Sequence, residues 1–314
     1  MTDAVNLIVQ GAALEQIVSG CVFTEGPVWL PDQSLLFSDI TGDKLMRWHP
    51  ETGTEVVRTP NQKGNGMTLD REGRLIVCEH ATSRVTRTAD YRAARDVIAA
   101  HAGGAELNSP NDVVVMSDGG VLFTDPDFGR TLPTVGVVRR VPQPIRGVYR
   151  IPPGGGPVEV LVADFDQPNG LCLSPDERTL YVGDTPRAHI RAFTMSDSRP
   201  LEEIGVFADR ISLREECDDN FVDGLKIDEL GNLYVTGPGG IWVYSPSGIR
   251  LGTIAVPEQV ANLNWGDADR RTLYITALTS VYRLRMNVAG SALPYMQRNV
   301  SSDHSIERTV GEDR

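Results

Sequence analysis

The chain is poor in cysteine and in positive charge. Its four cysteines (Cys21, Cys78, Cys172, Cys217) form no C-x-x-C pair and share no regular spacing. That argues against a disulfide framework and reads as buried or incidental thiols in a reducing compartment. Lys and Arg number 30 against 42 Asp and Glu, a net charge of −12. Phosphate recognition needs a basic surface, so nucleic acid and anionic membrane are excluded as expected partners, while a cation is compatible. No apolar run is long enough to span a bilayer, and the first twenty residues lack the basic start of a signal peptide, so the expected location is cytoplasmic. Familiar catalytic signatures are missing too: no G-x-S-x-G elbow, no H-E-x-x-H, no phosphate-cradling G-x-x-x-x-G-K-[ST]. The glycine run PPGGGP (152–157) has neither the lysine nor the following helix of a nucleotide loop.

What the chain has instead is turns and repetition. It carries 31 Gly and 20 Pro in 314 residues. One hairpin pattern recurs: a polar residue, a small residue, apolar alternation, a turn rich in Asp, Gly or Pro, then a second apolar run. It begins at Glu25 (EGPVWLPDQSLLFSD), Asn65 (NGMTLDREGRLIVCEH), Asn111 (NDVVVMSDGGVLFTDP), Asn169 (NGLCLSPDERTLYVGDT), Asp223 (DGLKIDELGNLYVTGP) and Asn262 (NLNWGDADRRTLYITAL). Successive starts lie 40, 46, 58, 54 and 39 residues apart, and each hairpin is followed by further short strand-like runs such as KLMRWHP and IWVYSP. Four strands repeated at this period predict an all-β, six-bladed β-propeller with four antiparallel strands per blade. The expected division is an N-terminal segment (1–13), one propeller domain (14–290) and a polar tail (291–314). Closure of the ring predicts that LEQIVSG (14–20) supplies the outer strand of the last blade. The best helical candidate is ADYRAARDVIAAHAGG (89–104).

In a propeller the first strand of each blade lines the central channel, so the six start residues should meet at one mouth. Glu25, Asn65, Asn111, Asn169, Asp223 and Asn262 are all oxygen donors, two carboxylates and four amides. Structural capping of turns explains Asn and Asp at such places, but Glu is a poor turn residue. A carboxylate buried there is costly unless neutralised. A hard divalent cation would neutralise two carboxylates, with amide carbonyls completing its shell. Both readings, capping and metal ligation, stand on the repeat alone, and Glu25 tilts the balance toward metal.

The segments TEGPVW, SPNDVV, PNGL and VDGLKID, in that order over residues 15–288, resemble the senescence marker protein/gluconolactonase family, which includes regucalcin-like and diisopropyl-fluorophosphatase-like enzymes. The resemblance implies a metal-dependent hydrolase of sugar lactones with one divalent ion at the channel mouth. Calcium is the expected ion, with Mg, Mn and Zn as alternatives. The resemblance carries over Glu25, Asn169 and Asp223 as metal ligands, with Asn111 on the metal or on substrate. One position departs from the pattern: Ser109 stands where animal lactonase-like members carry an Arg. A guanidinium clamp on substrate is therefore missing.

Lactone opening needs an electrophile at the carbonyl, a water and a base. Asp223 is the expected base; in phosphotriester-hydrolysing relatives its counterpart has been proposed as a nucleophile. Hairpin geometry returns the chain to the mouth at Asp39, His80, Asp125 and Asp184. His80, Asp125, Ser109, Asn111 and Asn65 are the expected substrate contacts. The insertion at 126–147 follows the third return and should overhang the mouth; two readings stand level, a rim loop whose four arginines attract an anionic sugar acid or lactone and a solvated surface insertion. Residues 210–221 are a second rim candidate. The partner implied is a small lactone. A phosphotriesterase on the same metal site and a non-catalytic calcium- or partner-binding propeller are the competing readings.

Overall fold

Apolar runs of five or six residues, each closed by a Gly- or Asp-containing turn, have few ways to bury both of their faces. Stacking short sheets radially is one, and the chain adopts it. The computed structural model describes residues 4–197, 199–212 and 221–296. It contains six four-stranded antiparallel sheets arranged as a six-bladed propeller. The inner strands are Thr24–Trp29, Gly64–Leu69, Val113–Val115, Pro168–Leu173, Leu225–Ile227 and Val260–Gly266. The blades they begin are numbered 1 to 6 in that order.

The sixth sheet closes the ring. Its outermost strand is Glu15–Val18, paired antiparallel with Ser280–Arg285 through Glu15↔Arg283 and Gln16↔Tyr282. The first and last strands of the propeller thus share one sheet, which ties chain ends that would otherwise leave an unpaired edge. Upstream of it, Leu7 packs into the core shared by blades 5 and 6, and Ile8 bridges Met286. Among the described residues no helix is long and apolar enough to cross a membrane.

Two details differ from the sequence reading. Period-two alternation was expected along each hairpin, yet every residue of Leu35–Asp39, Leu75–Glu79, Val121–Asp125 and Leu233–Gly237 is buried. Both faces of these strands pack on neighbouring blades, so no face is left for solvent. Outer strands such as Gly53–Arg58 are exposed along most of their length. The helical candidate at 89–104 is not helical: Asp96–Ala99 is the outer strand of blade 2, paired with Arg84–Thr88, and His101–Ala102 pairs with Ala105–Glu106. Its alanines favour helix, but sheet pairing along blade 2 overrides that weak preference and the β-branched Val97 and Ile98 fit it.

Aromatic residues join blades. Trp29 of blade 1 stacks on Tyr274 of blade 6 at 4.9 Å, and Tyr234 of blade 5 meets the edge of Trp265 of blade 6 at 5.3 Å. Such pairs add about 0.5–1.5 kcal/mol each beyond the area they bury. Cys78 and Cys172 are buried free thiols and Cys21 is half-buried and free. Cys217, most of the 210–221 rim candidate and the tail from residue 297 lie outside the described residues.

Candidate metal and substrate site

The residue after a start position is usually glycine, and the packing explains why. A Cβ on Gly66 would lie 2.5 Å from the Asn111 carbonyl oxygen, and one on Gly170 would lie 2.4 Å from that of Asp223. The glycines let neighbouring inner strands touch: Gly66 N–H donates to the Asn111 carbonyl (2.8 Å) and Gly170 N–H to that of Asp223 (3.0 Å). These close main-chain contacts draw the preceding side chains together.

They meet in one cavity of about 330 Å³ at the mouth. Glu25, Asn65, Asn111, Asn169 and Asp223 all line it, and His80 and Thr185 join them. Asn262, the sixth start residue, stands behind this group and donates from Nδ2 to Glu25 Oε2 at 3.0 Å. Gly26 N–H donates to the same oxygen at 2.5 Å.

The electrostatics of the floor are unusual. Glu25 is buried, and its carboxyl is pushed up to about 7 by burial first and by Asp112 second. Asp223 is raised well above the usual carboxylate range, by burial, by Glu25 and by Asp112. The two carboxyls share this cavity with Asn169, whose Nδ2 donates to Thr185 Oγ1 at 3.1 Å. Paired like charges with little water must share either a proton or a cation. Among the described residues no three His, Cys, Asp or Glu side chains gather as a metal-binding group. A cation held here would take amide oxygens as well as the two carboxylates. That donor set suits a hard ion such as Ca²⁺ or Mg²⁺ and is a poor match for Zn²⁺, which favours nitrogen and sulfur.

A second polar chain runs along the rim. Val135 offers only a carbonyl, so His80 Nδ1 carries the proton and donates to it at 3.0 Å. Burial lowers the His80 imidazole to about 4, leaving it neutral. Its Nε2 therefore accepts from Asn65 Nδ2 at 3.3 Å. This fixes the Asn65 amide with Oδ1 buried and unpartnered. An acceptor left so in a cavity wall calls for a donor from water or from a substrate hydroxyl.

The return carboxylates sit elsewhere. Asp125 accepts the backbone N–H groups of Asn108 and Ser109, each at 2.8 Å. Asp39 accepts those of Val22 and Phe23, and Asp184 those of Asp166 and Gln167. In all three blades the donors lie three and two residues before the start residue. These carboxylates are buried caps that hold the loops delivering Glu25, Asn111 and Asn169. Ser109 is likewise turned inward: its hydroxyl donates to the Pro126 carbonyl at 2.6 Å and accepts from Gly129 N–H at 3.0 Å. The structure therefore brings Glu25, Asn65, His80, Asn111, Asn169 and Asp223 together at the cavity. Ser109 and Asp125 are not among the residues lining it, because the loop that presents Asn111 uses both for its own support.

Two residues escaped the sequence reading. Asp112 occupies the place that glycine holds after four other start residues, and Lys226 lies two residues beyond Gly224. Lys226 Nζ pairs with Asp112 Oδ2 at 3.1 Å and reaches Asn262 Oδ1 at 3.4 Å. This partly buried pair sets an acid and an ammonium beside Asn262, which in turn holds Glu25. The break in the glycine pattern at Asp112 was the available signal.

Residues 23–279 match the SMP-30/Gluconolactonase/LRE-like region. The chain belongs to this family. Within it, the chain is 31% identical to a gluconolactonase of Zymomonas mobilis over 300 residues, covering 88% of this chain and 82% of that one. It is 28% identical to the pentonolactonase XacC of Haloferax volcanii, covering 82% of each. Among solved structures it is similar to the gluconolactonase XC5397 of Xanthomonas campestris, with a TM-score of 0.82 and 33% identity over 90% of this chain and 92% of that one. Family membership accounts for the propeller and its motif order; the cavity described above belongs to this chain's own residues.

Proposed function

We propose that this protein is a lactonase that hydrolyses its substrate at the cavity floor with one divalent cation, calcium by preference. The observation that carries the reading is the convergence of two carboxyls, buried Glu25 and half-buried Asp223, with the amides of Asn65, Asn111 and Asn169 on one cavity. The relatives named gluconolactonase and pentonolactonase support the reaction class. Glu25, Asn169, Asp223 and Asn111 would hold the ion. When bound, it would polarise a carbonyl and lower the pKa of an adjacent water.

The chain's own residues supply the rest. Asp223 acts as the base, taking a proton from the attacking water on its carboxylate. Glu25, tied through Oε2 to Gly26 and Asn262, is held as ligand and charge balancer. Asn65 offers its unpartnered Oδ1 to a substrate hydroxyl, and His80 keeps that amide from turning. Asn111 and Asn169 fix the remaining sides of the floor.

The test is hydrolysis of glucono-1,5-lactone with and without a chelator, by wild type and Asp223→Asn. The expected result is activity lost on chelation, restored by calcium, and absent in the variant. Calcium binding without turnover on any lactone would favour a non-catalytic propeller. Turnover of a fluorophosphate but of no lactone would favour a phosphotriesterase.

A further inference from the structure

The insertion at 126–147 leaves the end of Val121–Asp125 and returns at Gly147–Ile151. Its first part covers the cavity. Phe128, Leu132 and Val135 line one wall, with Phe23 and Ile40 of blade 1 beside them. Leu132 keeps 45% of its surface exposed, a large apolar side chain open to a cavity that a ligand's carbon skeleton would fill. The remaining polar edge, Thr41, Thr134 and Gln259, carries no charge.

The insertion's arginines do not line this space, which counts against the substrate-attracting one of the two sequence readings. Arg130 donates to the carbonyls of Leu107, Asn108 and Arg140, and Arg139 to that of His80. Arg146 pairs with Asp127 at 2.5 Å. Arg140 is exposed and does not line the cavity. Among the described residues no guanidinium or ammonium lines the site, so none of them is placed to pair with an anionic substrate. The guanidinium groups of Arg130, Arg139 and Arg146 instead pin the insertion down, and other contacts add to this. Gly129 fits so closely that a Cβ would lie 2.6 Å from His80 and 2.7 Å from Ser109. Val137 N–H donates to the Gly129 carbonyl at 2.9 Å, and His80 Nδ1–H to that of Val135.

We propose that Phe128, Leu132 and Val135 form a fixed apolar wall that makes the site prefer lactones bearing an alkyl or aryl substituent over polyhydroxylated or anionic ones. A held wall discriminates because a hydroxyl pressed against it loses its water without gaining a partner, whereas an alkyl chain gains cover. The inference rests on the lactonase reading and refines it.

The experiment compares kcat/KM for δ-nonalactone and glucono-1,5-lactone in wild type and Leu132→Asn, a substitution at an exposed position that the fold tolerates. Wild type is expected to favour the alkyl lactone by about tenfold or more, and Leu132→Asn to erase most of that preference with an unchanged melting temperature. Preference for gluconolactone in wild type, or a ratio unmoved in the variant, would overturn the proposal. A parallel calorimetric arm uses the unopened analogues 6-butyl-2-piperidinone and gluconolactam. If neither lactone is hydrolysed, the lactonase reading fails; tighter alkyl-lactam binding still supports the wall, and tighter gluconolactam binding overturns it.

Discussion

Two layers of carboxylates encircle the mouth, and they differ in what faces them. In the inner layer Glu25 and Asp223 face the same cavity. In the outer layer Asp39, Asp125 and Asp184 face pairs of backbone N–H groups. In blade 1 the two layers meet in one hairpin, Glu25 and Asp39 lying fourteen positions apart. The first layer stores unbalanced charge that a cation can relieve, and the second spends its charge on holding loops. Blade 5 sharpens the contrast. Gly237 stands where the cap would be, and Asp223 is held instead through its N–H to Thr236 Oγ1 at 2.8 Å. The proposed base is therefore presented without a carboxylate cap.

Substitutions should separate the layers. Asp223→Asn is expected to lower kcat for lactone by about 10³-fold, with no loss of thermal stability in chelated protein, since a like-charge repulsion disappears. A stable variant with near-normal turnover would contradict the inner-layer role. Asp184→Ala or Asp39→Ala should do the reverse. Each strands two backbone donors, at a cost of about 2–4 kcal/mol in denaturant unfolding, while calcium affinity of the folded protein stays within about tenfold of wild type, one tenfold step being 1.4 kcal/mol. Normal stability with calcium binding abolished would reverse the assignment.

The rim histidine gives a subtler probe because it belongs to neither layer. Burial depresses His80 from 6.5 to about 4. The unfolded chain therefore takes up a proton that the folded one refuses between those values. Its contribution to stability is whole above pH 6.5 and drains away as pH falls toward 4, by up to about 3 kcal/mol. Relative to His80→Gln, which can keep both hydrogen bonds and does not titrate, wild type should lose stability across that window. Parallel pH profiles of the two proteins would count against a neutral, buried latch.

Much of this was legible before the structure. The six hairpins, their period and the strand from 14–20 that closes the ring follow from turn residues and apolar runs, which are local. The convergence of Glu25, Asn65, Asn111, Asn169 and Asp223 follows from blade geometry, which the period implies. Side-chain direction at the return ends did not follow. Asp125 and Asn111 both end short runs at the same mouth, and only the fold shows that one faces the cavity while the other supports its loop. The arginines of 126–147 were ambiguous for a similar reason: charge in a rim loop looks like a ligand contact until backbone carbonyls are found to absorb it. Lys226 was hidden because an isolated lysine inside a strand carries no pattern, and only its contact with Asp112 gives it meaning.

The central claim is that the inner layer binds a single divalent ion, and calcium titration by isothermal calorimetry on chelator-stripped protein tests it most directly. The account predicts one site per chain in wild type and binding abolished or weakened at least tenfold in Glu25→Gln and in Asp223→Asn. No heat of calcium binding in wild type, or an isotherm unchanged by both substitutions, would contradict it.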